Sequence, residues 1–350
     1  MYCRWSLPNK SLELIAVNKI VKQFIPNEDV VAFSTNDKGL INQTFVVSVG
    51  KVNTKQFILQ SINTAIFPLY EKGLENIILV KNELQKSEFS YNFPSPINDK
   101  YICIDEVVWR MFPFVEDSVC YQKVKDKEQA FEAAKCLGSF YTSLANFDAE
   151  QLHITLPNFH NAAFRFKELK EAIKTASTNH LNKAKAIITA INKEQHVLHK
   201  FDKLNAELPK RVVHFDAKIS NFLFDNKTGK AKAIIDLDTL MPGTVLSDIG
   251  DMIRTYSNVM GEESQAIALV KADSEIIQHI IAGFLSVSGN ILSKEEKDNL
   301  EFSGKALILM QCIRFLTDYL NNDRYFKTAY PEQNWVRSQN QWALYCSLKG

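Results

Sequence analysis

The spacing of apolar positions changes along the chain. Up to about residue 115, apolar residues occur in short alternating or β-branched runs bounded by turn residues, the pattern of strands. Val31-Ala32-Phe33-Ser34 runs into a turn signal, Asn36-Asp37-Lys38-Gly39. Thr44-Phe45-Val46-Val47-Ser48-Val49 and Lys55-Gln56-Phe57-Ile58-Leu59 flank Gly50 to Thr54, which predicts a hairpin. A helix is expected around Tyr70 to Glu88, where Leu74, Ile77, Ile78 and Val80 to Leu84 give a broad apolar face. Tyr101 to Phe114 returns to strand character and breaks at Pro113.

Further on, the period lengthens to that of helices. Glu128 to Phe147 carries Phe131, Ala134, Leu137 and Leu144 at a spacing near 3.6. Phe164 to His199 is rich in Lys, Glu and Ala and reads as helix with a solvated charged face. Ser293-Lys294-Glu295-Glu296 is a capping box. Leu307 to Tyr319 is the most apolar helix and is expected to pack in a core. No internal repeat or low-complexity segment interrupts this order. The expectation is an α+β fold of two unequal lobes. Residues 1–114 form a small, mainly β lobe and residues 115–350 a larger, mainly helical one, with a hinge near Met111 to Val115.

Composition narrows the function classes. A formal charge of +1 gives no reason to expect nucleic acid or an acidic membrane surface. Met1-Tyr2-Cys3-Arg4-Trp5-Ser6-Leu7-Pro8 lacks the apolar run of a signal peptide, and no later segment is apolar for long enough to span a bilayer. The six cysteines are scattered and form no C-x-x-C pair, which favours free thiols and a cytoplasmic setting.

One stretch carries chemistry. His214-Phe215-Asp216-Ala217-Lys218-Ile219-Ser220-Asn221 spells H-x-D-x-x-x-x-N, and Ile234-Ile235-Asp236-Leu237-Asp238 follows after one turn. Val212-Val213 suits a strand into the loop, and Phe222-Leu223-Phe224 a strand out of it. Asp225 to Gly229 has the composition of a turn, and Lys232 to Ile235 returns. Asp216, Asn221 and Asp236 can therefore converge. Transfer of a phosphoryl group to a hydroxyl needs such a set. One carboxylate takes the proton, while an amide oxygen and a second carboxylate hold magnesium on the nucleotide phosphates. A solvated hairpin with turn aspartates is the alternative, but it leaves the His and Asn offsets unexplained.

These motifs resemble the aminoglycoside phosphotransferase and choline kinase superfamily, with its protein-kinase-like fold. Within it the chain is most similar to bacterial N-acetylhexosamine 1-kinases. The added similarity lies in Phe57 to Asn63, Trp109-Arg110, Leu156 to Asn161, Ile235 to Gly243, Ile313 to Leu320 and Tyr325 to Lys327. The resemblance implies ATP as donor, Mg2+ as cofactor and a sugar as acceptor. It implies Asp216 as base and Asn221 and Asp236 as metal ligands. Asp238 would join the metal site or act as a structural carboxylate. His214 would brace the loop, and Lys218 would meet the transferring phosphoryl group. Adenine would bond the hinge at Phe114 and Val115.

The chain departs from the general kinase pattern in three places. No G-x-G-x-x-G precedes the first hairpin; only Gly39-Leu40-Ile41-Asn42-Gln43-Thr44 is available. Gln60 stands where a strand lysine usually reaches the phosphates, as in the similar sugar kinases. This leaves the helix glutamate, Glu75, without its usual partner. The loop itself is His-Phe-Asp-Ala-Lys, whereas the sugar kinases usually show His-Asn-Asp-Thr-Lys, so Phe215 and Ala217 remove two polar groups beside the base.

Candidate acceptor contacts are Trp109, Arg110, Asn158, His160, Arg165, Arg314 and Asp318. Arg314 and Asp318 also have the i,i+4 spacing of a helix ion pair. His196-x-x-His199 is best read as a solvated helix face. The competing functions are a kinase of another small alcohol, such as an aminoglycoside, choline, homoserine or methylthioribose, and a non-catalytic nucleotide-binding scaffold.

Overall fold

Short apolar runs build the N-terminal sheet. In the computed structural model, which describes residues 10–36, 41–51 and 54–348, helix α1 (Lys10–Val21) leads into β1 (Val30–Asn36), β2 (Gln43–Val49) and β3 (Lys55–Ser61). Helix α2 (Tyr70–Leu84) follows, then β4 (Ile102–Ile104) and β5 (Val107–Pro113). The five strands form an antiparallel sheet in the order β1-β2-β3-β5-β4. Tyr101 to Phe114 is thus a hairpin and not one strand. Its two-residue turn, Asp105-Glu106, has both φ angles positive (49° and 64°), a turn usually signalled by Asn or Gly. The turn expected at Asp37 to Gly39, part of the Gly50–Thr54 connection and Cys3 lie outside the described residues.

The two faces of the sheet differ. Leu59, Trp109 and Met111 face α1, where Val17, Ile20 and Val21 close a small core with Phe45 and Val47. Trp109 is therefore a core residue, tilted against Phe45, and not an acceptor contact. The opposite face carries polar groups and turns towards the larger part of the molecule. Helix α2 lies against the Leu237–Thr239 turn, and Ile77, Val80 and Leu84 insert into the large core. Asn76 fixes α2 further, donating to the carbonyls of His153 and Leu240 and accepting from the His153 N–H.

The larger part opens with β6 (Ser118–Cys120) and α3 (Lys127–Ser143). The expected helical stretch of 164–199 is three helices: α4 (Ala162–Thr175), α5 (Thr178–Lys193) and α6 (Gln195–Glu207). The Ser177 side chain caps α5, which explains the break. His196 and His199 are exposed on α6. Then come β7 (Arg211–Val213), β8 (Phe222–Asp225), β9 (Ala231–Ile234) and β10 (Met241–Gly243). The hairpin β8–β9 forms as expected, joined at its edge by β6. β7 pairs instead with β10, so the strand into the His214–Asn221 loop is braced by the segment that follows the Asp236–Asp238 turn.

Helices α7 (Val245–Tyr256), α8 (Ser274–Ser288), α9 (Lys294–Asp298), α10 (Leu300–Leu320) and α11 (Gln333–Ser347) complete the fold. Ser293 makes the predicted capping box with Glu296. α10 is the buried centre of the helical part, as its apolar run suggests. No described helix is long and apolar enough to cross a membrane.

Candidate active site

Four elements converge on the loop after β7. His214 and Phe215 donate their N–H groups to the two oxygens of Asp248 on α7, at 2.9 and 2.7 Å. The Tyr141 hydroxyl donates to the same carboxylate at 2.9 Å. Burial raises the Asp248 carboxyl, and His214, these N–H groups and Tyr141 oppose it. The His214 ring uses both nitrogens. Nε2 donates to the Ile235 carbonyl at 2.9 Å, and Nδ1 accepts the Asp216 N–H at 3.3 Å. His214 is thus a brace between the Asp216 loop and the Asp236 turn.

Phe215 lies in the left-handed region, φ 65°, which is unfavourable for a bulky side chain. Its neighbours hold it there. Its ring packs against His160 and Phe159, with centroids 5.3 and 6.1 Å away. Gly243 of β10 makes room, since a β-carbon there would sit 2.6 Å from the Phe215 ring. The strained backbone points Asp216 into the cleft, where it remains half-buried.

Asp216 accepts from Lys218 Nζ at 2.6 Å and from the Asn221 amide at 2.9 Å. Burial works to raise its carboxyl, but Lys218, then His214 and Asn221, hold it below the ordinary carboxylate range. It is ionised at neutral pH, as a proton acceptor must be. Burial likewise opposes the Lys218 charge, and Asp216 and Asp236 more than compensate, raising it above the ordinary lysine range.

Asp236 follows β9 in a left-handed conformation, φ 63° and ψ 61°, and faces the open cleft. Enclosure by the cleft walls raises its carboxyl; Lys218 opposes this, and Asp238 and Asp216 add to it. Among the described residues no three His, Cys, Asp or Glu side chains form a closed metal cage. The donor set still suits magnesium, which is held by one or two protein oxygens together with nucleotide phosphates and water. Asn221 uses its NH2 group on Asp216, leaving its amide oxygen for a cation. Asp236 would supply the carboxylate.

Several expected site residues are engaged elsewhere. Arg110, expected at the acceptor, is buried and paired with Asp238. Asp238 in turn accepts from Arg110 and Asn42, which is the structural-carboxylate alternative and not an open metal ligand. Glu75, expected at the nucleotide, bonds Lys72 and His153 at the surface. Gln60 lies beside Arg110, accepting from its Nε at 3.0 Å. At the hinge the Phe114 N–H donates to Gln56, and the Val115 carbonyl accepts from Ser118. The Phe114 carbonyl and the Val115 N–H have no hydrogen bond to another described residue. One acceptor and one donor are thus left there, the pair an adenine edge requires.

His160, Arg165 and Arg314, expected at the acceptor, lie near one another and His160 near Asp216. His160 stacks on Phe159, with centroids 4.9 Å apart. The Arg314 guanidinium lies between the Phe159 and Phe326 rings, at 5.3 and 5.4 Å. It bonds Gln311, not Asp318. Asp318 instead accepts the N–H groups of Arg324, Tyr325 and Phe326, and so fixes the loop that carries Phe326. Asn158 is exposed and bonds Asn161. Arg165 pairs with Glu168. Burial, followed by Arg314, Arg254 and Arg165, holds the His160 imidazole well below its ordinary range.

Two residues of α7 escaped the sequence reading, Asp248 and Asp251. They are three apart in the apolar run Val245 to Ile253, so both fall on one helix face, and that spacing was the available signal. Asp251 pairs with Arg254 at 2.9 Å and lies close enough for the Asp216 charge to help raise its carboxyl, after burial itself.

Residues 33–277 match the family model described as the phosphotransferase enzyme family. The chain belongs to that family. It is a phosphotransferase with a hydroxyl acceptor, and its kinase-like fold recurs among solved structures. An aminoglycoside phosphotransferase from Alicyclobacillus acidocaldarius subsp. acidocaldarius DSM 446 is 14% identical, with a TM-score of 0.57 over 94% of this chain and 95% of that one. An aminoglycoside phosphotransferase solved with GDP and kanamycin is 11% identical, with a TM-score of 0.60 over 94% of this chain and 97% of that one. A spectinomycin phosphotransferase solved with ADP and spectinomycin is 13% identical, with a TM-score of 0.55 over 96% of this chain and 98% of that one. At these identities the likeness concerns the fold of this phosphotransferase, not its acceptor.

Proposed function

We propose that this phosphotransferase moves the γ-phosphoryl group of magnesium-ATP to the anomeric hydroxyl of an N-acetylhexosamine or related hexose. Asp216 takes the hydroxyl proton, and Lys218 bridges base and phosphoryl group. Asn221 and Asp236 hold the magnesium, while Phe114 and Val115 bond the adenine. The small lobe ends at residue 114 and the larger begins at 115, so the cleft lies between them. Free cysteines at 103, 136 and 312 suit a cytoplasmic setting.

One observation carries the choice of acceptor: an aromatic wall with one cation that no carboxylate pairs lies near Asp216. The Arg314 guanidinium sits between Phe159 and Phe326 and bonds Gln311, whereas Arg165 is paired with Glu168 and Arg254 with Asp251 and Glu262. A polycationic aminoglycoside or a choline cation would meet that charge unfavourably. A sugar suits it, because aromatic faces cover C–H surface and guanidinium groups donate to hydroxyl and acetamido oxygens. The anomeric hydroxyl is also the most acidic on a free sugar, which fits a single carboxylate base.

A second reading has its own observation. Arg314 has no carboxylate partner among the described residues, and burial, with Arg165 adding to it, brings its guanidinium down to about 10. A hexose bearing a carboxylate would neutralise it. The test is ADP release with magnesium-ATP over N-acetylglucosamine, N-acetylgalactosamine, galactose, hexuronic acids, choline and kanamycin, with phosphorus NMR of the product. Coupling of phosphorus to the anomeric proton is expected. Turnover of hexuronic acids alone would select the second reading. Turnover confined to choline or kanamycin would overturn both.

A further inference from the structure

Arg110 and Asp238 form an ion pair that joins the sheet to the metal loop. The two side chains are only 2% and 9% exposed. Arg110 Nη1 bonds Asp238 Oδ1, and Nη2 bonds Oδ2 at 2.7 Å, the two-pronged geometry that makes such pairs directional. Asn42 adds a third donor to Oδ2 at 3.0 Å. On the sheet side Thr44, Gln60 and Arg110 are cross-strand partners on β2, β3 and β5. Gln60 donates to the Thr44 hydroxyl at 2.9 Å and accepts from Arg110 Nε at 3.0 Å. A continuous polar rung therefore crosses the sheet and ends on Asp238, two residues after Asp236.

We propose that Arg110 and Asp238 are the positioning pair of the magnesium loop, with Asp236 alone as its metal-binding carboxylate. In protein kinases a strand lysine and a helix glutamate must pair before phosphates and metal are correctly placed. Here the strand position is Gln60, and Glu75 on the helix is bonded to Lys72 and His153 instead. The neighbouring strand supplies the cation, and the metal loop supplies the anion. Asp238 is matched in charge by Arg110 and bonded on both oxygens. Moving it to a metal would leave a buried guanidinium unpaired, a loss that cannot be recovered at one coordination position. Pinning Asp238 fixes the short turn Leu237–Thr239, and with it the left-handed Asp236 at its head. The inference rests on the nucleotide half of the proposed function and not on the acceptor.

The test is manganese(II) binding by the full chain with ADP, followed by electron paramagnetic resonance, with no acceptor present. Arg110→Lys keeps the buried charge, and so the fold, but loses the two-pronged clamp. Asp238→Asn removes the partner charge. Each variant is expected to weaken manganese binding about 10–100-fold, the usual range for groups that orient a ligand. The double variant should be no weaker than either single one, because both changes break one device. ADP binding without metal should not move, which separates positioning from a general loss of structure. Arg110→Lys binding manganese as tightly as the unaltered chain, or more tightly, while Asp238→Asn loses it would make Asp238 a ligand and overturn the proposal. Normal binding by both variants would also overturn it, reducing the pair to a structural contact. Failure of every sugar in the acceptor panel would leave this result untouched.

Discussion

The two ends of the cleft are built differently. At the base loop nearly every buried polar group finds a partner inside the protein. Asp248 takes two backbone N–H groups and a hydroxyl, both His214 nitrogens are bonded, and the Tyr256 hydroxyl donates to the Ala217 carbonyl at 3.0 Å. At the acceptor wall three buried atoms have no partner among the described residues: His160 Nδ1, Arg165 Nε and Asp251 Oδ2. Unsatisfied buried groups of this kind are costly in a folded chain. The contrast teaches that the Asp216 loop is preorganised by the fold, whereas the proposed acceptor wall holds unused bonding capacity that a ligand would satisfy.

Changes at the preorganised end should therefore remove catalysis. Asp216→Asn is expected to lower kcat by about 10²–10⁴-fold, the usual contribution of a general base. Calorimetry should show magnesium-ADP binding unchanged, because Asp216 is proposed to face the acceptor hydroxyl. Near-normal turnover in this variant would remove Asp216 from the role.

Asp248→Ala attacks the same end through its support. Three donors would lose one acceptor, each left with a desolvation cost of about 1–3 kcal/mol unless water enters. Thermal unfolding should move down markedly, and kcat should fall even below the new midpoint, as the strained Phe215 backbone relaxes. An unfolding curve that matches the unaltered protein would show that the loop does not depend on Asp248.

Arg314→Met inverts that pattern at the acceptor end. Replacing an uncompensated charge with an apolar side chain of similar length is expected to leave stability unchanged or raise it. The KM for the sugar should nonetheless rise by about tenfold or more, the equivalent of one charge-assisted hydrogen bond. The nucleotide KM should stay constant. A large loss of stability with an unchanged sugar KM would place Arg314 in the core and break the contrast.

The same division decides what could be seen in the sequence. Asp216, Asn221 and Asp236 were legible because their offsets are local, fixed by one loop and one hairpin. The Arg110–Asp238 pair was not, since 128 residues separate the partners. No local spacing links them, and Arg110 read as an acceptor group until its neighbours were in place. Helix α1 was missed because Leu14-Ile15-Ala16-Val17 is a continuous apolar run, in which periodicity does not separate helix from strand. Asp248 was hidden by the apolar residues around it, which read as core. The β7–β10 pairing was equally invisible, because a three-residue strand carries no sign of its partner.

The smallest expected effect is a pH dependence confined to the acceptor wall. Burial first, and then Arg314, Arg254 and Arg165, keep the folded His160 imidazole well below its ordinary value, although Asp216 pulls the other way. In the unfolded chain the same ring titrates near its unperturbed pKa of about 6.5. Below that pH the unfolded state therefore binds a proton that the folded state refuses. Stability must rise with pH through this region and level off above it, and it is lost progressively as the pH falls from about 6.5 towards the depressed folded value. His160→Gln removes this one proton while keeping a polar group of similar reach. Plotted as unaltered protein minus variant, unfolding free energy from urea titrations should slope upward between about pH 5 and 6.5 and be flat near pH 8. The other six histidines cancel in that difference. An anionic acceptor bound against Arg314 would offset part of the positive charge that depresses the ring, so adding it should shallow the slope. A difference curve that is flat throughout would mean that His160 titrates alike in both states, and that the cationic wall does not act on it.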